Sequence, residues 1–186
     1  IGGVGLLKNY KKMISLGLKK IGNIVLLIGK TEGHIDQSIF ATEILNQKKG
    51  PPPEINLFNE KNNGEVILKL IDDGFIKSAH DVSSGGSLIA ITKMCISGSK
   101  GVDINVPKNL INYFEYFFSE DQGRYLIEVE IENLEKVKSI LKKNSVYFDE
   151  FAIIREKNII IKNKLNVTID ELIKENKSWL MEYMSN

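Results

Sequence analysis

The feature that most constrains the fold is a run of five consecutive apolar residues, Ile24–Ile28, which ends at Gly29. A strand with one face in water alternates apolar and polar residues, and this run does not alternate. It therefore predicts a strand that is buried on both faces by other elements of the chain. Five residues are too few to span a bilayer, so the run does not predict a membrane segment.

Two later patterns predict how further strands are arranged. The charged segment Arg155–Asn158 separates Val146–Ile154 from Ile159–Ile161, which predicts an antiparallel hairpin. Polar and apolar residues alternate over Arg124–Glu130, which predicts a half-buried strand.

Helical and extended patterns are intermixed along the whole chain, without an internal repeat. This mixture predicts an α/β fold, in the form of an α+β sandwich with a mixed, largely antiparallel sheet and helices packed over it. Further extended segments are predicted at residues 4–7, 14–18, 75–79 and 102–106, and helices at residues 38–45, 56–73, 88–98 and 134–141 and in a last segment capped by Thr168.

Composition excludes several classes of protein. Hydrophobic residues make up 42% of the 186 residues and charged residues 26%, which is typical of one folded globular domain. The 25 basic and 24 acidic residues are scattered, so the chain lacks the basic patch of a nucleic-acid-binding protein. Cys95 is the only cysteine, which excludes an intramolecular disulfide, and its apolar neighbours predict a buried structural thiol. A single cysteine is consistent with a reducing cytoplasm, where we expect the protein.

The segment most informative about function is Ser78–Gly86, which places polar residues and glycines between a predicted strand and a predicted helix. Backbone N–H groups at Gly85 and Gly86 could approach an anion at the start of that helix. The Asp81 carboxylate could bind Mg2+, because hard cations prefer oxygen ligands. The structural alternative is that Asp81 or Ser83 caps the helix and that the glycines allow a tight turn.

Two further segments are candidates for a ligand site. In Ser119–Arg124, Glu120 and Gln122 would point the same way in an extended chain and could meet one ligand, although a solvated loop accounts for the pattern equally well. Lys30–Ser38 follows the predicted buried strand, at a position where α/β sheets often bind ligands. The chain has only two histidines, which excludes a histidine-rich metal centre, and it lacks the nucleophile-elbow motif of a hydrolase.

Ordered motifs resemble one known family. Ser78–Gly86, followed by Phe118–Tyr125, resembles the phosphoribosylformylglycinamidine synthase family (subunit II), within the aminoimidazole ribonucleotide synthetase superfamily. Ile1–Leu6, Gly29–Thr31 and Pro51–Pro53 look like the later half of these enzymes in the same order, so the resemblance covers essentially the whole chain. The resemblance implies the second of two C-terminal domains, each of which follows an ATP-binding domain.

The resemblance also implies a domain organisation and a reaction. Residues 1–186 would form a single C-terminal domain, with residues 1–12 as the join from an upstream ATP-binding domain. Because the chain begins with Ile1 rather than methionine, we expect an excised piece that is inactive alone. The family reaction is ATP-dependent amidation of formylglycinamide ribonucleotide, with Mg2+ accompanying ATP or ADP. The implied partners are the upstream ATP-binding domains, a glutaminase subunit and a small bridging subunit, without nucleic acid or membrane.

The resemblance carries over to individual residues. In the first copy of the domain, the aspartate that resembles Asp81 binds the metal ion, and a Glu-Ser-Gln stretch contacts the substrate. Asp121 stands here in place of that serine, so we expect an auxiliary nucleotide or substrate cleft without catalytic residues. The expected ligand-binding residues are Asp81, Ser83, Gly85, Gly86, Glu120 and Gln122, with Asp81 also as the metal ligand.

Three interpretations remain open from the sequence. The domain is one wall of a nucleotide or ribonucleotide cleft in an ATP-dependent ligase, or it is a noncatalytic packing domain that contributes stability and partner contacts. The third interpretation is the equivalent domain of a paralogue, such as aminoimidazole ribonucleotide synthetase or selenophosphate synthetase. A surface that another domain normally covers could also drive self-association of this piece.

Overall fold

A computed structural model describes residues 4–7, 9–108, 110 and 112–185. This part of the chain contains a 3-10 helix at Tyr10–Lys12, a π-helical segment at Phe40–Ile44 and a second 3-10 helix at Ile131–Asn133. Its strands are β1 (Ile24–Ile28), β2 (Ile76–Asp81), β3 (Gly101–Ile104), β4 (Tyr125–Val129), β5 (Phe148–Arg155), β6 (Asn158–Ile161) and β7 (Leu165–Thr168). Its α-helices are α1 (Leu57–Asp72), α2 (Gly86–Gly98), α3 (Tyr113–Phe118), α4 (Leu134–Lys143) and α5 (Ile169–Ser185).

The strands form one sheet in the order β2-β4-β1-β5-β3-β6-β7. Strands β3 and β6 are parallel, and the other neighbouring strands are antiparallel. The predicted fold class, an α+β sandwich with a mixed and largely antiparallel sheet, is confirmed.

Strand β1 lies inside the sheet, and all five of its residues are buried. Val25 and Leu27 belong to a core cluster that also contains residues of α2, α3 and α5. Ile24, Leu26 and Ile28 belong to a second cluster with residues of α1 and α4. The prediction from the uninterrupted apolar run is therefore confirmed: helices cover both faces of this strand.

The predicted hairpin between residues 146–154 and 159–161 is wrong. Strands β5 and β6 do not pair with each other, because β3 lies between them and pairs with both. The chain passes from β5 to β6 across the beginning of β3 at Gly101. A Cβ atom at Gly101 would lie 2.2 Å from the carbonyl oxygen of Asn158, so the crossing requires a glycine here.

The prediction of a half-buried strand over residues 124–130 is also wrong. Strand β4 lies between β1 and β2, and its residues 126–129 are buried on both faces of the sheet. The polar member, Glu128, is fully buried because its carboxylate accepts four hydrogen bonds. The donors are the backbone N–H groups of Lys19 (2.8 Å) and Lys20 (3.0 Å), the side-chain amide of Asn23 (2.7 Å) and the hydroxyl of Ser78 (2.9 Å).

The predictions for the last helix and for the N-terminal segments have different outcomes. Thr168 accepts a hydrogen bond from the backbone N–H of Glu171 at 3.2 Å, which confirms the predicted cap of the last helix. The short elements α3 and β7 were not predicted. Residues 4–7 are exposed and form no strand, and in the predicted extended segment at residues 14–18 Ser15 forms an isolated bridge with Ser78. Ile1–Gly3, which carry part of the expected join, lie outside the described residues.

Cys95 lies in the core on the side of the sheet where α2 packs, and it is fully buried. Burial raises the pKa of its thiol to about 12, so the thiol stays protonated near neutral pH. The prediction of a buried structural thiol is confirmed. None of the helices in the described part of the chain has the length and apolar character needed to cross a membrane.

We expect Glu128→Gln to lower the free energy of unfolding by about 3–5 kcal/mol. The NH2 group of the glutamine would face buried N–H and O–H donors with which the carboxylate now forms hydrogen bonds. Glu130→Gln serves as the matched control, since Glu130 is partly exposed and pairs with Lys77 at 3.1 Å. Glu130→Gln should lower the free energy of unfolding by less than about 1 kcal/mol. Urea denaturation measures both values, and equal losses in the two variants would contradict the structural role of Glu128.

Candidate functional site

The three segments that the sequence analysis singled out meet at one end of the sheet. Strands β1 and β2 both run antiparallel to β4, so their carboxyl ends lie beside the beginning of β4. In register, Ile28 and Asp81 both lie opposite Tyr125. Residues that follow β1, follow β2 and precede β4 are therefore close in space, although they are far apart in the sequence.

Asp121 holds the loop that follows β1. Asp121 is 5% exposed, and its Oδ2 accepts the backbone N–H groups of Glu32 at 3.0 Å and Gly33 at 3.1 Å. Its other oxygen, Oδ1, accepts the N–H of His34 at 3.2 Å. Three successive backbone donors thus point at one carboxylate, as they would at a bound anion. Gly33 has a φ of +85°, which favours glycine at this turn.

Arg124 supports Asp121 from inside the fold. Its guanidinium is almost fully buried and donates hydrogen bonds to the backbone oxygens of Asp121 (3.2 Å) and Ser119 (2.6 Å) and to the Thr31 hydroxyl (3.0 Å). Burial lowers the pKa of Arg124, and the negative charge of Asp121 opposes this shift. The Arg124 guanidinium therefore fixes the turn that carries Asp121.

Glu120 connects the same turn to the beginning of α2. Its Oε1 accepts the backbone N–H of Gly85 at 2.8 Å and that of Ile39 at 2.9 Å. Gly85 is the N-cap of α2 and has a φ of +86°. The Glu120 carboxylate thus lies where the sequence analysis placed an external anion.

The glycines of Ser78–Gly86 allow close packing at this turn. Gly86 has a φ of +72°, and a Cβ atom there would lie 2.4 Å from the carbonyl oxygen of Phe117. The expected tight turn is therefore present. The alternative in which Asp81 or Ser83 caps α2 is wrong, because no side chain forms a cap hydrogen bond at Gly85.

Asp81 and Ser83 are exposed at the end of β2. Asp81 Oδ1 lies 3.0 Å from His80 Nδ1. Burial raises the pKa of Asp81, but the charge of His80 and hydrogen bonds from His80 and Ser83 outweigh this effect and lower it overall. The described residues contain no group of three His, Cys, Asp or Glu side chains that could hold a metal ion.

A cavity of about 720 Å³ lies beside the Asp121 turn. Of the six expected ligand-binding residues, Gln122 lines this cavity and the other five do not. The lining residues from α1, from the segment before it and from the segment before β5 were not predicted. The only local signal was the unusual number of asparagines around the beginning of α1. The full lining is Gly29, Lys30, Glu32, Gly33, His34, Glu54, Asn56, Asn59, Glu60, Asn63, Asp121, Gln122, Ser145 and Tyr147.

The loop at residues 50–53, called the proline loop below, lies against the loop that follows β1. His34 Nε2 is 2.9 Å from the carbonyl oxygen of Pro51, and the Gln37 side chain donates to the carbonyl oxygen of Gly50 at 3.0 Å. The third candidate segment, Lys30–Ser38, is therefore in contact with both the Asp121 turn and the proline loop. Its His34 takes part in the loop packing.

Comparison with known proteins identifies the family. Residues 20–154 match the model of the AIR synthase related protein, C-terminal domain. The chain belongs to this family. The match spans the sheet from β1 into β5 and includes every segment that forms the candidate site.

Relatives of this AIR synthase related domain include longer proteins. The phosphoribosylformylglycinamidine synthase subunit PurL of Pelagibacter ubique (strain HTCC1062) is 59% identical over 186 residues, which cover 100% of this chain and 26% of that protein. The PurL subunit of Bartonella quintana (strain Toulouse) is 35% identical, with 100% of this chain and 25% of that protein covered. The chain thus spans about a quarter of these relatives, and the resemblance noted in the sequence is confirmed.

Solved structures share the fold of this domain. Thermotoga maritima PurL complexed with FGAR has a TM-score of 0.71 and 20% sequence identity, with 88% of this chain and 30% of that chain covered. Escherichia coli HypE has a TM-score of 0.58 and 16% identity, with 83% of this chain and 51% of that chain covered. At these identities the likeness shows the fold alone.

We expect Asp121→Asn to lower the free energy of unfolding by about 3 kcal/mol, because the amide group cannot accept all three backbone N–H groups of residues 32–34. Asp73→Asn is the matched control, since Asp73 is exposed at the far end of the sheet, after α1, and should change stability by less than about 0.5 kcal/mol. Urea denaturation gives both values. An Asp121→Asn variant as stable as the control would show that the carboxylate does not hold the loop.

Proposed function

We propose that this domain forms one wall of a nucleotide or ribonucleotide cleft in a phosphoribosylformylglycinamidine synthase, an ATP-dependent C–N ligase of purine biosynthesis. The observation that carries the proposal is the 59% identity to the Pelagibacter ubique PurL subunit over the whole chain. The matched family model also covers each of the three segments that meet at the end of the sheet. The identity to these two PurL subunits favours this enzyme over the paralogues that share the domain.

The proposed cleft lies at the end of the sheet formed by β1, β2 and β4. Asp81 and Ser83 are exposed there and would contact the ligand, and Gln122 extends from the neighbouring turn. Gly85, Gly86 and Glu120 would shape the cleft, because the Glu120 carboxylate fixes the beginning of α2 through Gly85. We assign no catalytic residue to this chain, so bond formation would use groups elsewhere in the enzyme.

The proposed nucleotide and partner subunits are inferred from related proteins. Thermotoga maritima PurL has been solved in complexes with ATP, ADP and AMPPCP, and also as PurLQS. We propose that the full-length enzyme containing this domain uses ATP with Mg2+ in the cytoplasm. Its partners would be the upstream ATP-binding domains of the same polypeptide, a glutaminase subunit and a small bridging subunit.

We further propose that residues 1–186 are one domain and that residues 1–12 join it to the preceding ATP-binding domain. Residues 1–3 and 8 lie outside the described part of the chain. The support comes from the exposed apolar side chains of Val4, Leu6 and Tyr10, which another domain could cover. The isolated chain could also self-associate through such side chains, including Trp179 and Tyr183 at the end of α5.

A second candidate function is a packing domain without ligand contact. One observation favours it: the backbone N–H of Gly85 at the N-terminus of α2 is already bound by the Glu120 carboxylate. In this alternative, the domain would stabilise the enzyme and contact partners. Substitutions in the domain would then change the stability of the enzyme without changing its affinity for nucleotide.

The proposal is tested by replacing the matching segment of the Pelagibacter ubique PurL subunit with this chain. We expect the chimera to convert formylglycinamide ribonucleotide in the presence of ATP, Mg2+ and an ammonia source. Calorimetric titration with the magnesium nucleotide and with the ribonucleotide should then show that Asp81→Ala weakens binding of one of them roughly tenfold.

Asp73→Ala is the control for the chimera, because Asp73 is also exposed but lies away from the proposed cleft. It should leave both affinities unchanged. An inactive, folded chimera would contradict the assignment to this enzyme. An active chimera in which Asp81→Ala changes neither affinity would favour the packing domain.

A further inference from the structure

The cavity beside the Asp121 turn has the size of a small-molecule site and shares only Gln122 with the six proposed cleft residues. Its volume of about 720 Å³ falls in the range of small-molecule pockets. Asp81, Ser83, Gly85 and Gly86 take no part in its lining. The cavity lies on the side of the sheet covered by α1. Its walls come from α1 and the segment before it, the loop after β1, the turn before β4 and the segment before β5.

Two amide side chains present acceptors to this cavity. Asn63 is 7% exposed, and its Nδ2 donates to the carbonyl oxygen of Gly123 at 2.9 Å. Gln122 Nε2 donates to the carbonyl oxygen of Glu120 at 3.3 Å. Since the donor ends are taken by backbone carbonyls, Asn63 Oδ1 and Gln122 Oε1 remain, and neither accepts a hydrogen bond from another residue that the structure describes.

The uncompensated charges of the lining are negative. Lys30 pairs with Glu32, whose carboxylate lies 2.7 Å from its Nζ, and the Asp121 oxygens are occupied by backbone N–H groups. The carboxylates of Glu54 and Glu60 form no ion pair or hydrogen bond with other residues in the described ranges. The Glu60 carboxylate lies against the turn at Gly123, where a Cβ atom would be 3.3 Å from it.

We propose that this cavity binds a small organic cation with several N–H donors, such as an amine or guanidinium compound. Carboxylate and amide oxygens accept such donors, and hydrogen bonds between oppositely charged groups are the stronger ones. The partly exposed ring of Tyr147 adds a face on which a cation can lie. Among the described residues of the lining, phosphate or carboxylate ligands would face two unpaired glutamates, and the one lysine, Lys30, is paired with Glu32.

The probe is agmatine, which carries one ammonium and one guanidinium group, and the measurement is calorimetric titration of the 186-residue chain. We expect saturable 1:1 binding that Glu60→Gln weakens roughly tenfold and Glu54→Gln weakens in the same direction. Glu65→Gln is the matched control, because Glu65 lies on the same helix, is exposed and does not line the cavity. It should change the affinity less than about twofold.

Several outcomes would overturn the proposal. Absence of saturable binding would do so, as would equal weakening by Glu60→Gln and Glu65→Gln, which would indicate diffuse attraction to the surface. Binding of succinate or 1,4-butanediol as tight as that of agmatine would reject the preference for a cation. If Mg2+ alone bound in a Glu60-dependent way and agmatine did not, the cavity would be a metal site.

Circular dichroism checks that each variant is folded. If the isolated chain does not fold, the same titrations are made on the chimeric PurL subunit, where the same outcomes apply. Because the readout is binding without turnover, this test is independent of the proposed enzyme activity. An active chimera that fails to bind agmatine would reject the cation site alone.

Discussion

Two neighbouring carboxylates, Glu120 and Asp121, accept five backbone N–H groups from segments that are distant in the sequence. Each of these loops would lose conformational entropy if it were ordered alone, and loops at the end of a sheet have few apolar residues to offset that loss. Hydrogen bonds to a charged acceptor are stronger than those between neutral groups. The two carboxylates therefore determine the shape of the loops on which the proposed cleft and the cavity depend.

A buried carboxylate also holds backbone N–H groups of a loop at the other end of β4. Glu128 is buried within that strand and binds the backbone at Lys19 and Lys20 as well as two side chains. Strand β4 and the turn before it thus carry carboxylates that order loops at both ends of the sheet. Such buried charges are destabilising unless their donors stay in place, so the loops and the sheet depend on each other. A domain built in this way offers rigid loop surfaces to a ligand or to a neighbouring domain.

The fold class followed from the sequence because its main signals are local. The apolar run at Ile24–Ile28 predicted a strand covered on both faces, and turn residues separated most other elements. Strand partners were harder to predict, because the pairing of β5 and β6 with β3 depends on the crossing at Gly101. The half-buried strand was wrong because Glu128 looks solvent-facing until its four donors are known. Their positions in space are set by the completed fold.

The site could be predicted only in part for the same reason. The three segments were recognised from their composition. The hydrogen bond from the Glu32 N–H to the Asp121 carboxylate, however, joins residues that are 89 positions apart in the sequence. Asp121 was read as a departure from the family pattern, whereas the structure shows it binding three backbone donors. The cavity was not predicted, because it combines asparagines of α1 with loops that local patterns treat separately.

Native-state hydrogen exchange tests the central claim most directly, since it measures the free energy at which each amide opens. If Glu120 and Asp121 hold the site, the amides of Glu32, Gly33, His34, Ile39 and Gly85 should open with free energies close to that of global unfolding. Exchange of these amides at rates typical of exposed loops, while the amides of β1 and β4 stay protected, would contradict the account.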